Sequence, residues 1–129
     1  MIAFHANLKR HLKNLPTNTI LKFEEVLLNK GNGYDSNTGI FTAPAHGVYS
    51  FNWSFISSHG GTVYISAIVN NVGRVHTCIN AQKSNHINTS GHLLYQLKKG
   101  DKVWLRTWYV RATYIHGDRF SFFSGNRIA

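Results

Sequence analysis

GVYSFNWSF, residues 47–55, decides how this chain folds. Read at period two, it places Tyr49, Phe51, Trp53 and Phe55 on one face and Ser50, Asn52 and Ser54 on the other. Four aromatics in register on one side of a strand form a ladder able to fill the space between two sheets. A helix would scatter the same residues around its axis.

Outward from this stretch the alternation continues. In TVYISAIV, residues 62–69, Val63, Ile65, Ala67 and Val69 share a face. In KVWLRTWYV, residues 102–110, Trp104 and Trp108 lie together, opposite Val103, Leu105 and Tyr109. Turn-forming residues divide these runs: Lys30-Gly31-Asn32-Gly33, Ala43-Pro44, His59-Gly60-Gly61, Asn70-Asn71-Val72-Gly73, Lys99-Gly100-Asp101 and His116-Gly117-Asp118. Short strands with regular turns predict an all-β sandwich or barrel, with strands near 2–8, 19–23, 39–42, 46–57, 62–70, 73–80, 90–98, 102–110 and 119–128. No linker or repeat interrupts them, so residues 1–129 read as one domain. A chain of this length buries roughly two-thirds of its unfolded surface, enough for a substantial core.

Charge narrows the partners. Fourteen Lys and Arg against five Asp and Glu give +9, and eight histidines add more in acid. That surplus favours polyanions: acidic or sulfated glycans, lipopolysaccharide, anionic membrane surfaces or nucleic acid. From Ser36 through Gly73, however, there is no Lys, Arg, Asp or Glu. A sandwich strand normally keeps one face wet and polar. An uncharged run whose outward positions are Ser, Asn, Thr and Ile predicts strands covered on both sides, and hence an obligate oligomer. No apolar run reaches the ~20 residues needed to cross a bilayer. The start, MIAFHANLKRHLK, lacks the apolar stretch of a signal peptide.

The spaced residues Phe23, Asn29, Tyr34, Phe41, Gly47, Tyr49 and Phe51, set within TILKFEEVLLNKGNGYDSNTGIFTAPAHGVYSF (19–51), resemble the signature of the C1q domain family of the complement C1q and tumour necrosis factor superfamily. Ala3-Phe4-His5-Ala6, the run from Leu97 to Val103 and Phe123-Ser124-Gly125 extend the resemblance over the chain. Trp53, where the family has Phe or Tyr, and Arg127 near the end depart from it. The resemblance implies a ten-stranded jelly roll, assembly into a homotrimer, secretion, and ligand recognition through loops. It looks most like the stalkless, lectin-like invertebrate members used in pattern recognition.

Enzyme signals are thin. His59-Gly60-Gly61 reads as a β-turn, since no Gly-x-Ser-x-Gly elbow accompanies it. His76 and Cys78 make too small a set for a closed zinc site, and the lone Cys78 reads as a core residue. No cofactor is expected. Calcium, which some relatives hold near the trimer axis, takes 6–8 oxygens including carboxylates, and only Glu24, Glu25, Asp35, Asp101 and Asp118 are acidic. Of two sequons, Asn52-Trp53-Ser54 falls within a strand and Asn88-Thr89-Ser90 within a polar loop.

Candidate ligand-binding residues join cationic or amide side chains to aromatics: Lys83, Asn85 and His86 in a long polar loop, and Arg106, Trp108, Arg111, Tyr114 and His116 along a strand and the loop after it. Aromatic faces stack on sugar rings, while Arg binds carboxylate or sulfate in bidentate fashion. A separate basic loop carries Lys9, Arg10, His11 and Lys13. Three functions follow: a lectin-like module for microbial or acidic glycans, a cytokine- or hormone-like head for a protein receptor, and a generic polyanion or nucleic-acid binder.

Overall fold

The computed structural model describes residues 1–80 and 86–129. Twelve strands run in chain order: β1 (Ala3–Leu8), β2 (Leu12–Leu15), β3 (Glu25–Lys30), β4 (Tyr34–Asp35), β5 (Ile40–Thr42), β6 (Gly47–Ser57), β7 (Thr62–Val69), β8 (Val72–Asn80), β9 (Ile87–Leu97), β10 (Lys102–Thr107), β11 (Ala112–Ile115) and β12 (Ser121–Arg127). Ten of them form two five-stranded antiparallel sheets, ordered β3-β1-β12-β6-β9 and β4-β5-β10-β7-β8. The jelly roll expected from the sequence is the fold observed. The remaining two, β2 and β11, pair as a separate ribbon.

Alternation places the core as read. Tyr49, Phe51, Trp53 and Phe55 of β6 are buried against Val63, Ile65 and Ala67 of β7 and Val103 and Leu105 of β10 in one cluster. Phe4 knits the sheets together, stacking on Tyr34 at 5.0 Å and meeting Phe123 edge-on at the same separation. Trp53 has room because Gly91 stands opposite it on β9; a Cβ there would come within 2.3 Å of the indole. The indole Nε1 donates to Thr77 Oγ1, so this largest core side chain leaves no buried donor unmet.

The turns follow their chemistry. Asn70 and Asn71 take φ of 47° and 71° between β7 and β8, the left-handed pair that a two-residue hairpin requires and that Asn tolerates. Gly39, at φ 79°, closes the β4–β5 turn by donating to Asp35 O.

Several expectations are corrected. Residues 19–23 form no strand: only Ile20 bridges Arg106, and the ladder strand is Glu25–Lys30. Leu21 and Phe23 are nevertheless buried, so the alternation there was real. The segment runs along β10 beyond the end of β5, with Leu21 N–H donating to Leu105 O and Thr107 N–H to Thr19 O. The strand read as 102–110 stops at Thr107, and Tyr109 sits at φ 68°, outside any strand conformation. Cys78 is exposed on β8 rather than in the core. Asn88 lies in β9, not in a loop, and its amide donates to Phe55 O.

The uncharged stretch has two explanations instead of one. The outward side of β7 is covered within the chain, for Ser66 is 1% exposed and Ile68 is buried opposite Trp104. The outward side of β6 belongs to a broad face. Register places Ser50, Asn52 and Ser54 beside Leu94, His92 and Ser90 of β9. On the other flank stand Asn126, Ser124 and Phe122 of β12. His5 and Asn7 of β1 complete the rows.

Candidate binding surfaces

The residues singled out in the sequence separate into two groups, and Lys83 and Asn85 lie outside the described residues. The first group occupies the outward side of the second sheet. Arg106, Ser66 and His76 are cross-strand partners in one row across β10, β7 and β8. Trp108 reaches across β7 to stack on His76, ring centroids 4.1 Å apart, which roofs Ser66 and explains its burial. Tyr109 is 70% exposed, yet its ring sits 5.1 Å from that of Tyr64 and 5.8 Å from that of Trp108. Neither Tyr64 nor His76 stood among the candidates. Tyr64 was legible from the outward register of β7, whereas the left-handed backbone that swings Tyr109 onto this surface has no local sequence signal.

Three polar atoms in this patch are buried without a protein partner: Ser66 Oγ, Arg106 Nε and Trp108 Nε1. Two of them can only donate. The patch therefore offers an aromatic platform, Tyr109 against Tyr64 and Trp108, over polar atoms that are shut off from solvent.

The second group lies at one end of the sandwich. There β2 and β11 pair, with Tyr114 opposite Lys13 and Ala112 opposite Leu15. The two regions read as separate, 106–116 and the basic loop at 9–13, are thus neighbours. Tyr114 belongs to a strand rather than to the loop expected, and His116 follows directly after it. Arg111 is exposed but spoken for, its guanidinium donating to Asn14 O at 2.6 Å.

Neighbouring segments fix the ribbon in place. Ser57 Oγ donates to Tyr114 O at 2.7 Å, and Thr62 N–H to Thr113 Oγ1 at 2.8 Å. Gly61 allows this approach, since a Cβ there would come within 2.2 Å of Ser57 Oγ. Between ribbon and turn opens a cleft of about 380 Å³ lined by His11, Lys13, Ser58, His59, Thr113 and Tyr114. His116 stacks on His86 at 5.4 Å and on Phe120 at 4.7 Å. Burial, then the neighbouring His11, His86 and His59, push the His116 imidazole below its ordinary value of 6.5, with Asp118 opposing.

The carboxylates are engaged in structure. Glu24 pairs with Arg10, and Glu25 holds Arg119 through two bonds of 2.8 and 2.9 Å. Asp35 accepts from Asn37 N–H, and Asp101 accepts from Lys98 N–H, which lowers its carboxyl below the usual range. Among the described residues no group of three or more His, Cys, Asp or Glu is placed to hold a metal ion. Among the described residues, no helix is long and apolar enough to cross a membrane.

Comparison with known proteins agrees with this architecture. The C1q domain model matches residues 3–127. Human complement C1q tumor necrosis factor-related protein 3 is 35% identical over 127 residues, covering 96% of this chain and 50% of that protein. Human complement C1q and tumor necrosis factor-related protein 9A is 38% identical over 86 residues, 67% of this chain and 25% of its own length. The chain thus spans half or less of these curated relatives. Among solved structures, the globular domain of zebrafish complement 1qA superposes with a TM-score of 0.82 at 23% identity, covering 100% of this chain and 98% of that one. Eiger TNF from S. frugiperda gives 0.73 at 13% identity, covering 99% and 92%.

Proposed function

Because the chain belongs to the C1q domain family, we propose that it is a secreted recognition module that works as a homotrimer and binds acidic glycans on the outward side of its second sheet. Its role is binding rather than catalysis. The observation that carries this reading is the outward patch in which the exposed ring of Tyr109 lies against Tyr64 and Trp108, with Trp108 stacked on His76 in the row that holds Arg106. A sugar supplies C–H faces to stack on aromatic rings, and oxygens to accept hydrogen bonds. An acidic sugar adds a carboxylate or sulfate for Arg106. The +9 charge of the chain concentrates such ligands near the surface.

A glycan array read at two salt concentrations tests the reading. Binding to a defined acidic glycan that survives added salt, and that falls about tenfold in Tyr109→Ala, supports a built site; one stacked ring is worth roughly 1–3 kcal/mol in comparable aromatic platforms. Binding to every polyanion alike, nucleic acid included, with steep loss in salt and no response to Tyr109→Ala, reduces the protein to an electrostatic sink. A receptor-binding head is the second reading, favoured by the same residues, because Tyr, Trp and Arg also dominate protein hot spots. An array with no glycan signal would turn attention to it.

A further inference from the structure

The ribbon cleft at the end of the sandwich is unused by that reading, and its composition is unusual. Four imidazoles form a line of rings with one tyrosine. His59 meets Tyr114 at 6.2 Å, Tyr114 stacks on His11 at 5.7 Å, His11 lies 4.7 Å from His116, and His116 stacks on His86 at 5.4 Å. They arrive from four places: ahead of β2, the β6–β7 turn, ahead of β9, and the end of β11.

The hydrogen bonds define the neutral state. His11 Nδ1 accepts from the backbone N–H of Gly117 at 2.9 Å. A backbone N–H can only donate, so Nδ1 carries no proton and the neutral His11 tautomer is Nε2–H. The Tyr114 hydroxyl and His116 Nδ1 both stand 3.1 Å from the same atom. The half-buried His116, crowded by the other rings, disfavours its charged form.

The charged groups around the cluster are few. Lys13 lines the cleft. Asp118 comes within 3.9 Å of His11 Nε2 but is largely exposed. Arg10 and the Lys9 backbone are tied to Glu24, Arg119 to Glu25, and Arg111 to the Asn14 carbonyl. At neutral pH the cleft therefore offers one lysine. Two of the imidazoles, His11 and His59, line the volume of about 380 Å³, and His116 and His86 continue the row behind His11, so protonation in acid adds positive charge in and beside the cleft.

We propose that this cleft is an acid-activated oxyanion site, which takes a sulfate or phosphate group at mildly acidic pH and releases it at neutral pH. The anion supplies the charge that the crowded imidazoles need in order to hold their protons, so binding and protonation reinforce each other. Lys13 gives a weak pH-independent attraction, and Ser58, Thr113 and Tyr114 carry hydroxyls on the walls.

The test is an NMR titration of the intact chain with sodium sulfate, following the histidine ring signals at about pH 5.5 and about pH 7.5. Sulfate should bind at least tenfold more tightly at the lower pH, move the signals of His11, His59 and His116 together, and raise the pKa of His116. His59→Asn removes one rim imidazole while keeping a residue that tolerates the φ of 58° found there. It should fold as the parent does and lose much of the acid-dependent gain. Phosphate should reproduce the effect, whereas chloride at equal ionic strength should not. Equal affinity at the two pH values would overturn the proposal, as would an undiminished acid gain in His59→Asn. So would a response abolished by a chelator, which would make the cluster a metal site.

Discussion

At the scale of single residues, Glu25 shows how one ion pair on an exposed surface can still carry a pH signature. Arg119, with help from Asn7, holds the Glu25 carboxyl at about 2, against an ordinary value of 4.5. The folded pKa is the lower one, so the pair stabilises the fold above pH 4.5, and that stability disappears as pH falls from 4.5 towards 2. Glu25→Gln should melt below the parent at neutral pH, and the two melting curves should converge near pH 2. A gap that persists into strong acid would assign the loss to packing instead. Sequence legibility at this scale was uneven. Tyr49, Phe51, Trp53 and Phe55 declared themselves because a buried strand face has to be apolar at every second position. Tyr109 did not, because a left-handed tyrosine depends on what surrounds it, and Cys78 misled because a cysteine on an open edge strand looks in sequence like one in a core.

Among elements, the β2–β11 ribbon separates what was read correctly from what was not. Each of its strands has four residues, LKNL and ATYI, too short to register an alternation. Their pairing joins residues about a hundred positions apart, a contact no local pattern can announce. The long central strands β6, β7 and β10 were legible because packing on both sheets imposes a period of two on them. The candidate site suffered directly: two basic regions that seemed independent share one ribbon, while Arg106 and Trp108, assigned together with Tyr114 and His116, face a different side. The ribbon depends on Gly117, where a Cβ would lie 2.4 Å from the main chain of Arg10. That main chain cannot move freely, since Asp118 N–H donates to Lys9 O and Arg119 N–H to Leu8 O. Gly117→Ala should therefore cost about 1–3 kcal/mol in denaturant unfolding, the usual range for overpacking. It should also disturb the His11 and Tyr114 ring signals while leaving those of the β6 core unchanged. Full parental stability in that variant would mean that the ribbon is looser than its hydrogen bonds suggest.

For the whole molecule, the distribution of charge is the guide to assembly. The chain carries +9, yet the outward positions of β1, β12, β6 and β9 hold Ala, His, Asn, Phe, Ser, Val, Ile, Leu and Gln and no formal charge. Leu94, in the middle of β9, is 56% exposed there, and His5 stacks on Phe122 at 5.1 Å. A highly charged protein that keeps the outward side of four adjacent strands neutral has reason to cover that face, since burying an unpaired charge is far more costly than burying Ser or Asn with partners. If three chains meet on this face, as the proposed homotrimer requires, the assembly carries 3 × 9, or +27. Light scattering in physiological salt should then report three times the 14.6 kDa of one chain. Mutual repulsion of the three chains predicts weaker assembly as salt is removed and the Debye length grows beyond about 10 Å. Chelation should change neither mass nor melting temperature, because no carboxylate lies on β1, β12, β6 or β9 and Glu25, at their margin, is occupied by Arg119. Leu94→Lys provides the sharpest test. On a free monomer it is a harmless surface change, within about 0.5 kcal/mol. In the assembly it buries three unpaired ammonium groups, so the variant should run as a folded monomer with the parental circular dichroism spectrum. A parent that is monomeric at micromolar concentration, or a Leu94→Lys variant that still assembles, would show that the neutral face meets something other than copies of itself.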